Sequence, residues 1–314
     1  MDTSVVVESF NTIEGTSLDS LRRTLRAATS FQLPHGEVEV LLADVTRDPA
    51  IRALLEQEFP EVHRVDAAGL GYCAAKLRAA RQARGRYVVF LDCDCAPEPG
   101  WWDHIAAPLR EGTAVATGGF AYYPGGFFTK IQSLFDFGFL IPHRDRPLGC
   151  YASNNCGFVR EVLLELPEPE GPMRCTCYAH AQLLARRGLA PRLVAEAAVQ
   201  HEAPPVLRER LRQGYDTVAA CWVDPHLPEA KWLRLGPFAA PLYYARRVWQ
   251  DWMTLRRHRN ETRLGRTEAA LAVPLIPLLR LVDGVGIVAA LVWGTGARRW
   301  VDPGPKLGAA GRRF

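Results

Sequence analysis

Two rhythms of apolar and polar positions alternate over the first ninety or so residues. Val5–Phe10 is a short β-branched run, and Leu18, Leu21, Leu25 and Ala28 then recur at helical spacing across Ser17–Ser30. Val38–Ala43 predicts a second strand, ending at Asp44, and Asp48–Phe59 a second helix with Pro49 in its first turn. Val62–Val65 predicts a third strand, Tyr72–Arg84 a third helix stopped by Gly85, and Tyr87–Leu91 a fourth, wholly apolar strand. Strands alternating with helices of ten to fifteen residues predict parallel β-α-β units. Ligands of such sheets collect beyond the carboxyl ends of the strands, where loops and helix N-termini converge. Asp44 and Asp92 stand at such ends, and Glu8 stands close to one.

Beyond Trp102 the pattern is mixed. Val115–Gly118 predicts a strand, Ser153–Leu166 a strand running into a helix, Tyr178–Arg187 a helix and Arg192–Val199 a strand. The aromatic run Phe120–Phe139 suits either core or the wall of an acceptor pocket. After about Pro237 arginines and tryptophans cluster, which divides the chain into a domain over 1–235 and a helical extension over 236–314. In that extension AALAVPLIPLLRLVDGVGIVAALVWG carries Pro274, Pro277, Arg280 and Asp283. The two charges leave apolar runs of about 11 residues each, short of the roughly 20 a membrane span needs. Three readings stay open: a helical subdomain covering its own apolar faces, helices lying on a membrane surface between flanking arginines and tryptophans, and a true span.

Composition narrows the classes. A chain of 314 residues at 48% hydrophobic can bury a core and does not read as disordered. A net charge of +4, without a basic stripe interleaved with aromatics, gives no reason to expect nucleic acid. The eight cysteines include no CxxC pair, so thiols in a reducing compartment are expected. A strand-like run begins almost at once, without a signal-like segment, and the expected location is cytoplasmic, at most peripheral on the inner face of the cell membrane.

Asp92 and Asp94 are two apart at a strand end, so their side chains share a face. Adjacent carboxylates repel, and a divalent cation with hard oxygen preference, Mg²⁺ or Mn²⁺, relieves that repulsion. The other reading is a pair of aspartates capping the Pro97–Gly100 turn.

Four stretches in order, VVVESFN, EVLLAD, YCAAKLRAARQARGRYVVF and LDCDCAPEPGW, resemble the family 2 glycosyltransferases of the GT-A fold. The resemblance implies an α/β chain: a Rossmann-like, mostly parallel central sheet flanked by helices, followed here by the helical extension. It also implies metal-dependent transfer, with inversion, from a UDP-, GDP- or dTDP-sugar to a hydroxyl on a glycan, lipid or small-molecule acceptor. By that resemblance Glu8, Asn11, Asp44, Lys76 and Asp92 bind the donor nucleotide. Asp92, Asp94 and His201 hold Mn²⁺ or Mg²⁺, and Asn154, Asn155 and Arg160, in YASNNCGFVREVLLEL, lie on the acceptor side. The basic run Arg208–Tyr215 would fold over the diphosphate, unless it is a solvated helix face.

One part of the pattern is missing. The family's base is an aspartate before a helix ending in Ala-Gly or Arg-Gly, and the corresponding stretch CTCYAHAQLLARRG carries Thr176, Cys177 and Ala179 instead. Glu168 or Glu170 in the loop upstream, or His180 in the helix, are the candidate bases. A protein that binds a nucleotide sugar without transferring it is the rival reading. A second rival, an NAD-dependent dehydrogenase, rests on the G-x-G-x-x-A string Gly69–Ala74, which a polar run precedes.

Overall fold

The computed structural model describes residues 1–13, 15–31, 37–141, 147–167, 177–223, 227 and 230–297. The N-terminal half follows the periodicity closely. β1 (Thr3–Glu8), α1 (Phe10–Ile13), α2 (Leu18–Thr29), β2 (Val38–Asp44), α3 (Pro49–Glu58), β3 (His63–Asp66), α4 (Tyr72–Gln82) and β4 (Tyr87–Asp92) alternate as expected. The local causes are visible: the Ser17 hydroxyl accepts the N–H of Ser20 to start α2, and Asp48 caps α3 with Pro49 in the first turn. There follow β5 (Cys95–Pro97), α5 (Trp101–Arg110), β6 (Ala116–Tyr122), α6 (Phe127–Phe137), β7 (Asn155–Val159), α7 (Arg160–Leu164), α8 (Cys177–Arg186) and β8 (Arg192–His201). The chain closes its described part with α9 (Val206–Val223), α10 (Ala230–Leu233), α11 (Ala239–Arg257) and α12 (Arg266–Trp293).

Among the described residues eight strands form one sheet in the order β3-β2-β1-β4-β7-β6-β8-β5. β1, β2, β3 and β4 pair in parallel, β7 joins antiparallel to β4 and β6, and β8 runs parallel to β6. β1 is flanked by β2 on one side and β4 on the other, so the strand order reverses between β1 and β4. That reversal opens a crevice at their carboxyl ends, and the register places Glu8 directly beside Asp92. Val5–Val7, Leu41–Ala43 and Val88–Leu91 are buried, as strands covered on both faces must be.

The helical part departs from the expectation. The apolar stretch is not two short runs: α12 is one helix of 28 residues with Pro274 and Pro277 inside it. Pro277 has no N–H for the carbonyl of Val273, and the indole Nε1 of Trp252 on α11 donates to that oxygen at 3.0 Å instead. Nor do Arg280 and Asp283 interrupt the helix, because both point inward. Arg280 bonds Asp251 on α11 at 2.6 and 3.0 Å and Asp283 one turn on at 2.5 Å. Arg210 of α9 joins through Asp283 at 3.6 Å and through Asp136 of α6. The run Arg208–Tyr215 lies in α9, with Arg210 and Tyr215 fully buried and so turned away from any diphosphate. Packing also groups α9 with α11 and α12, in a core of Tyr215, Val218, Ala219, Ala240, Ile287 and Ala290 that spans the expected boundary at 235.

α9 and α12 cross at glycines. A Cβ on Gly286 would lie 2.1 Å from the carbonyl oxygen of Leu211, and one on Gly214 would lie 2.0 Å from that of Asp283. Gly286→Ala will cost at least about 1–3 kcal/mol, since rigid backbone must give way. Gly284→Ala, where a Cβ meets nothing within 4 Å, will be neutral or gain up to about 1 kcal/mol of helix propensity. Urea unfolding of the two variants measures the contrast; equal midpoints would contradict the close crossing.

Candidate active site

The crevice between β1 and β4 gathers most of the residues singled out in the sequence. Asp92 is the last residue of β4 and Asp94 follows in the turn before β5; both are buried. Asn11, lifted off the end of β1 by the short α1, lies against both, with its Nδ2 3.2 Å from Asp92 Oδ2 and 3.2 Å from each Asp94 oxygen. One amide thus donates toward two carboxylates, a bridging position that its assignment to the nucleoside did not foresee.

The two aspartates have different partners. Asp92 accepts from the ammonium of Lys76, which is buried on α4, and from the hydroxyl of Tyr72, 2.8 Å from both carboxylate oxygens. Lys76 Nζ also donates to Tyr72 Oη at 2.7 Å and to the carbonyl of Ser153 at 2.8 Å. Burial works against the Lys76 charge, but Asp92 and Glu8 outweigh it and hold the ammonium protonated, above its ordinary range. Asp92 is therefore paired within the protein itself.

Asp94 faces β8. Its Oδ1 lies 3.6 Å from Nε2 of His201, and Cys95 Sγ completes a group whose possible ligand atoms all lie within 4.8 Å of one another. His201 Nδ1 sits 2.7 Å from the carbonyl oxygen of Glu202. A carbonyl can only accept, so Nδ1 donates to it, and Nε2 is the nitrogen turned toward the carboxylate. Two acceptors held face to face call for a cation or a proton between them, and an Nδ1–H tied to a carbonyl is the usual outer support of a ligating imidazole. Burial first, then the nearby carboxylates, push the Cys95 thiol well above its ordinary range, so it stays protonated. The residues fit a divalent cation, with Asp94 and His201 as ligands and the remaining positions open.

Glu8 is buried between these groups. Desolvation, then the charge of Asp92, push its carboxyl up to about 8, and the backbone N–H groups of Phe10 and Asn11 reach its Oε2. Its carboxyl therefore holds its proton to higher pH than an ordinary glutamate does. Asp44 is buried at the end of β2, and despite that burial its carboxyl is held below the ordinary range. The N–H and hydroxyl of Thr46 contact it at 2.9 and 2.8 Å, and the Arg64 guanidinium closes from 2.7 Å. These contacts brace the loop after β2 against β3.

The acceptor-side assignments divide. Asn154 lies beside the site, its carbonyl accepting the Asp92 N–H at 3.2 Å and its own Oδ1 buried without a partner. Asn155 is turned into the sheet: Trp101 Nε1 donates to its Oδ1 at 2.8 Å, and its Nδ2 donates to the carbonyls of Phe120 and Ala197. Arg160 is at the far end of the sheet, because β7 runs antiparallel and pairs Val159 with Tyr87 at the start of β4. There it donates to the last carbonyls of α4, Ala80 and Arg81, at 3.2 Å. Neither side chain can meet an acceptor at the crevice.

Of the base candidates, Glu168 and Glu170 fall outside the described residues. His180 is buried in α8, with Nε2 3.0 Å from the Pro167 carbonyl and Nδ1 3.4 Å from the Tyr151 hydroxyl. It faces a small cavity behind Lys76, lined also by Cys73, Phe90 and Cys156, rather than the Asp94 side.

Sequence reasoning missed two contributors. Tyr72 precedes Lys76 by one helical turn, a spacing that could have found it. Thr16, 3.4 Å from Asp94, left no signal in the sequence. Tyr123 and Phe137 pack their rings 5.5 and 6.1 Å from the His201 ring, so the aromatic run supplies site wall as well as core. Beside them Phe120, Tyr122, Lys130 and Arg263 line a shallow depression. The G-x-G-x-x-A string follows β3, at the edge of the sheet and not at the reversal, so it holds no dinucleotide position.

These features place the chain in a class. The glycosyl transferase family 2 model matches residues 4–166, and the chain belongs to that family; it is a glycosyltransferase of GT-A fold. A mannosyltransferase from Pyrobaculum calidifontis, solved with GDP-Man and Mn²⁺, is similar over 93% of this chain and 87% of its own, at 15% identity and a TM-score of 0.61. Glucosyl-3-phosphoglycerate synthase from Mycobacterium tuberculosis, solved with Mn²⁺, UDP-Glc and phosphoglyceric acid, is similar over 71% of this chain and 80% of its own, at 21% identity and a TM-score of 0.50. No curated protein matches the sequence at a significant level.

Proposed function

We propose that this glycosyltransferase transfers a sugar from a nucleoside-diphosphate donor to a hydroxyl acceptor with inversion, and depends on a divalent cation held by Asp94 and His201. The observation that carries the reading is the 3.6 Å approach of Asp94 Oδ1 and His201 Nε2, with the ring proton committed to the Glu202 carbonyl. An imidazole beside a carboxylate favours Mn²⁺ over Mg²⁺, whose preference is for oxygen alone. The solved relatives carry Mn²⁺ with GDP-Man or UDP-Glc, which agrees with that choice. Bound there, the cation supplies positive charge to the diphosphate as the sugar leaves it.

This chain's own residues do the rest. Asn11 holds Asp92 and Asp94 in register, and Lys76 and Tyr72 fix Asp92 in orientation. Asn154 beside Asp92, and Tyr123 and Phe137 beside His201, are the side chains offered to the acceptor. Displacement is a single step: the acceptor oxygen bonds to the anomeric carbon, the bond to the phosphate oxygen breaks, and the hydroxyl proton passes to a base. Glu170 is the better candidate for that base, since both ring nitrogens of His180 are engaged within the protein.

A thermal-shift series with UDP-, GDP- and dTDP-sugars tests the proposal. One nucleotide class will raise the midpoint by several degrees with Mn²⁺, and chelation will remove the shift, as expected for a ligand bound at about 100 times its Kd. An equal shift in the presence of chelator would contradict the cation's role.

A further inference from the structure

The polarity of α12 is inverted. Leu278 is 61% exposed, Leu281 53% and Val285 58%, and Leu271, Val292 and Trp293 are exposed along the same helix. Positions 271, 278, 281, 285 and 292 fall on one face, so they form a continuous apolar stripe about 32 Å long. Between Glu268 and Gly294 the only charged residues are Arg280 and Asp283, and both are buried. A surface helix in water turns its charges outward and its apolar stripe inward. Here the charges turn inward among Ile276, Ile287 and Ala290, and apolar residues cover the outer face as well, over a length far beyond the scattered apolar residues of an ordinary surface.

The neighbouring helix extends this face and adds charge. On α11 Leu242, Arg246, Trp249 and Arg256 recur at helical spacing and are exposed, Trp249 by 61%. Residues 230–297 carry ten Lys or Arg against four Asp or Glu, and two of those four acids, Asp251 and Asp283, are buried. Apolar side chains with tryptophan among them, beside exposed arginines, match the boundary between acyl chains and anionic headgroups.

We propose that the outward face of α12, with the exposed face of α11, lies in one leaflet of an anionic membrane surface and docks the enzyme there. Charge complementarity selects this occupant. A second copy would bring arginine-rich surfaces together, whereas an anionic leaflet neutralises them. Length and composition alone would let α12 cross a bilayer, but its inner face decides against that. It packs along α9, where Glu209, Arg212 and Asp216 form ion pairs that hydrocarbon would not tolerate. The helix is therefore embedded on one side only. The inference stands apart from the proposed transfer chemistry, since none of these side chains touches the crevice.

Vesicle flotation of the full chain tests it. With about three parts phosphatidylcholine to one part phosphatidylglycerol, the wild type will float with the vesicles, and with phosphatidylcholine alone most of it will stay behind. Leu278→Glu/Leu281→Glu/Val285→Glu will stay soluble with an unchanged melting midpoint, because the substituted positions already face outward. Arg246→Gln/Arg256→Gln will weaken binding to the anionic vesicles by about tenfold or more. Should the triple variant not fold, wild-type tryptophan emission read against brominated lipids gives the same answer: quenching by shallow bromines supports the proposal. Failure of the wild type to float, a concentration-dependent dimer that the triple variant abolishes, or retention of the wild type in membranes through alkaline carbonate extraction would each overturn it.

Discussion

Asp94→Asn will lower turnover by about 10²- to 10³-fold or more while leaving the fold intact, the scale expected when a preorganised charge at a transition state is lost. The variant keeps the shape and removes the charge that faces His201 Nε2, so a cation retains an imidazole and a neutral amide. The manganese concentration for half-maximal rate will therefore rise together with the loss of turnover. Asp92→Asn behaves differently. It strips the charged carboxylate from a buried ammonium, which keeps its bonds to the Tyr72 hydroxyl and the Ser153 carbonyl but loses its ion-pair partner. That variant will lose stability as well as activity. Initial rates across a manganese titration, with melting midpoints for both variants, separate the two roles. Equal loss of midpoint in both would contradict the division between a cation ligand and a structural ion pair.

The second large effect lies away from the crevice. Arg280→Met will cost about 3–5 kcal/mol of stability, because Asp251 and Asp283 then stay buried without their main cation. The guanidinium also lies 4.4 Å from the centre of the Phe135 ring, a contact that methionine replaces only in part. Restoring neutrality in the same place, with Arg280→Met, Asp251→Asn and Asp283→Asn together, will recover much of the loss, since uncompensated charge is what makes the single change costly. Denaturant midpoints measure both variants. A single variant as stable as the wild type would show that the network does not hold α11 against α12.

The parallel half of the fold was legible because its strands are buried on both faces and its helices on one, which gives each element a distinct period. The crevice was legible for the same reason: strands that end in Glu8, Asp44 and Asp92 announce where the carboxyl ends lie. What the sequence concealed was direction and remote compensation. Asn155 and Arg160 sit at recognisable positions in a motif, but antiparallel pairing of β7 with β4 turns one into the sheet and carries the other to its far end. α12 read as broken because its charges and prolines count against a helix locally. Their partners, Asp251, Arg210 and the Trp252 indole, come from other helices and cannot be seen from the stretch alone. The lysine and the second aspartate were picked out, yet the hydrogen bonds that assign Asp92 to Lys76 and leave Asp94 to His201 depend on how α4 and β8 approach.

The most direct test of the central claim is anomalous diffraction at the manganese edge from crystals grown with Mn²⁺ and the nucleoside diphosphate that stabilises the chain. The account predicts one strong peak within coordination distance of an Asp94 carboxylate oxygen and His201 Nε2, in contact with the diphosphate. A bound diphosphate with no peak between Asp94 and His201 would contradict it.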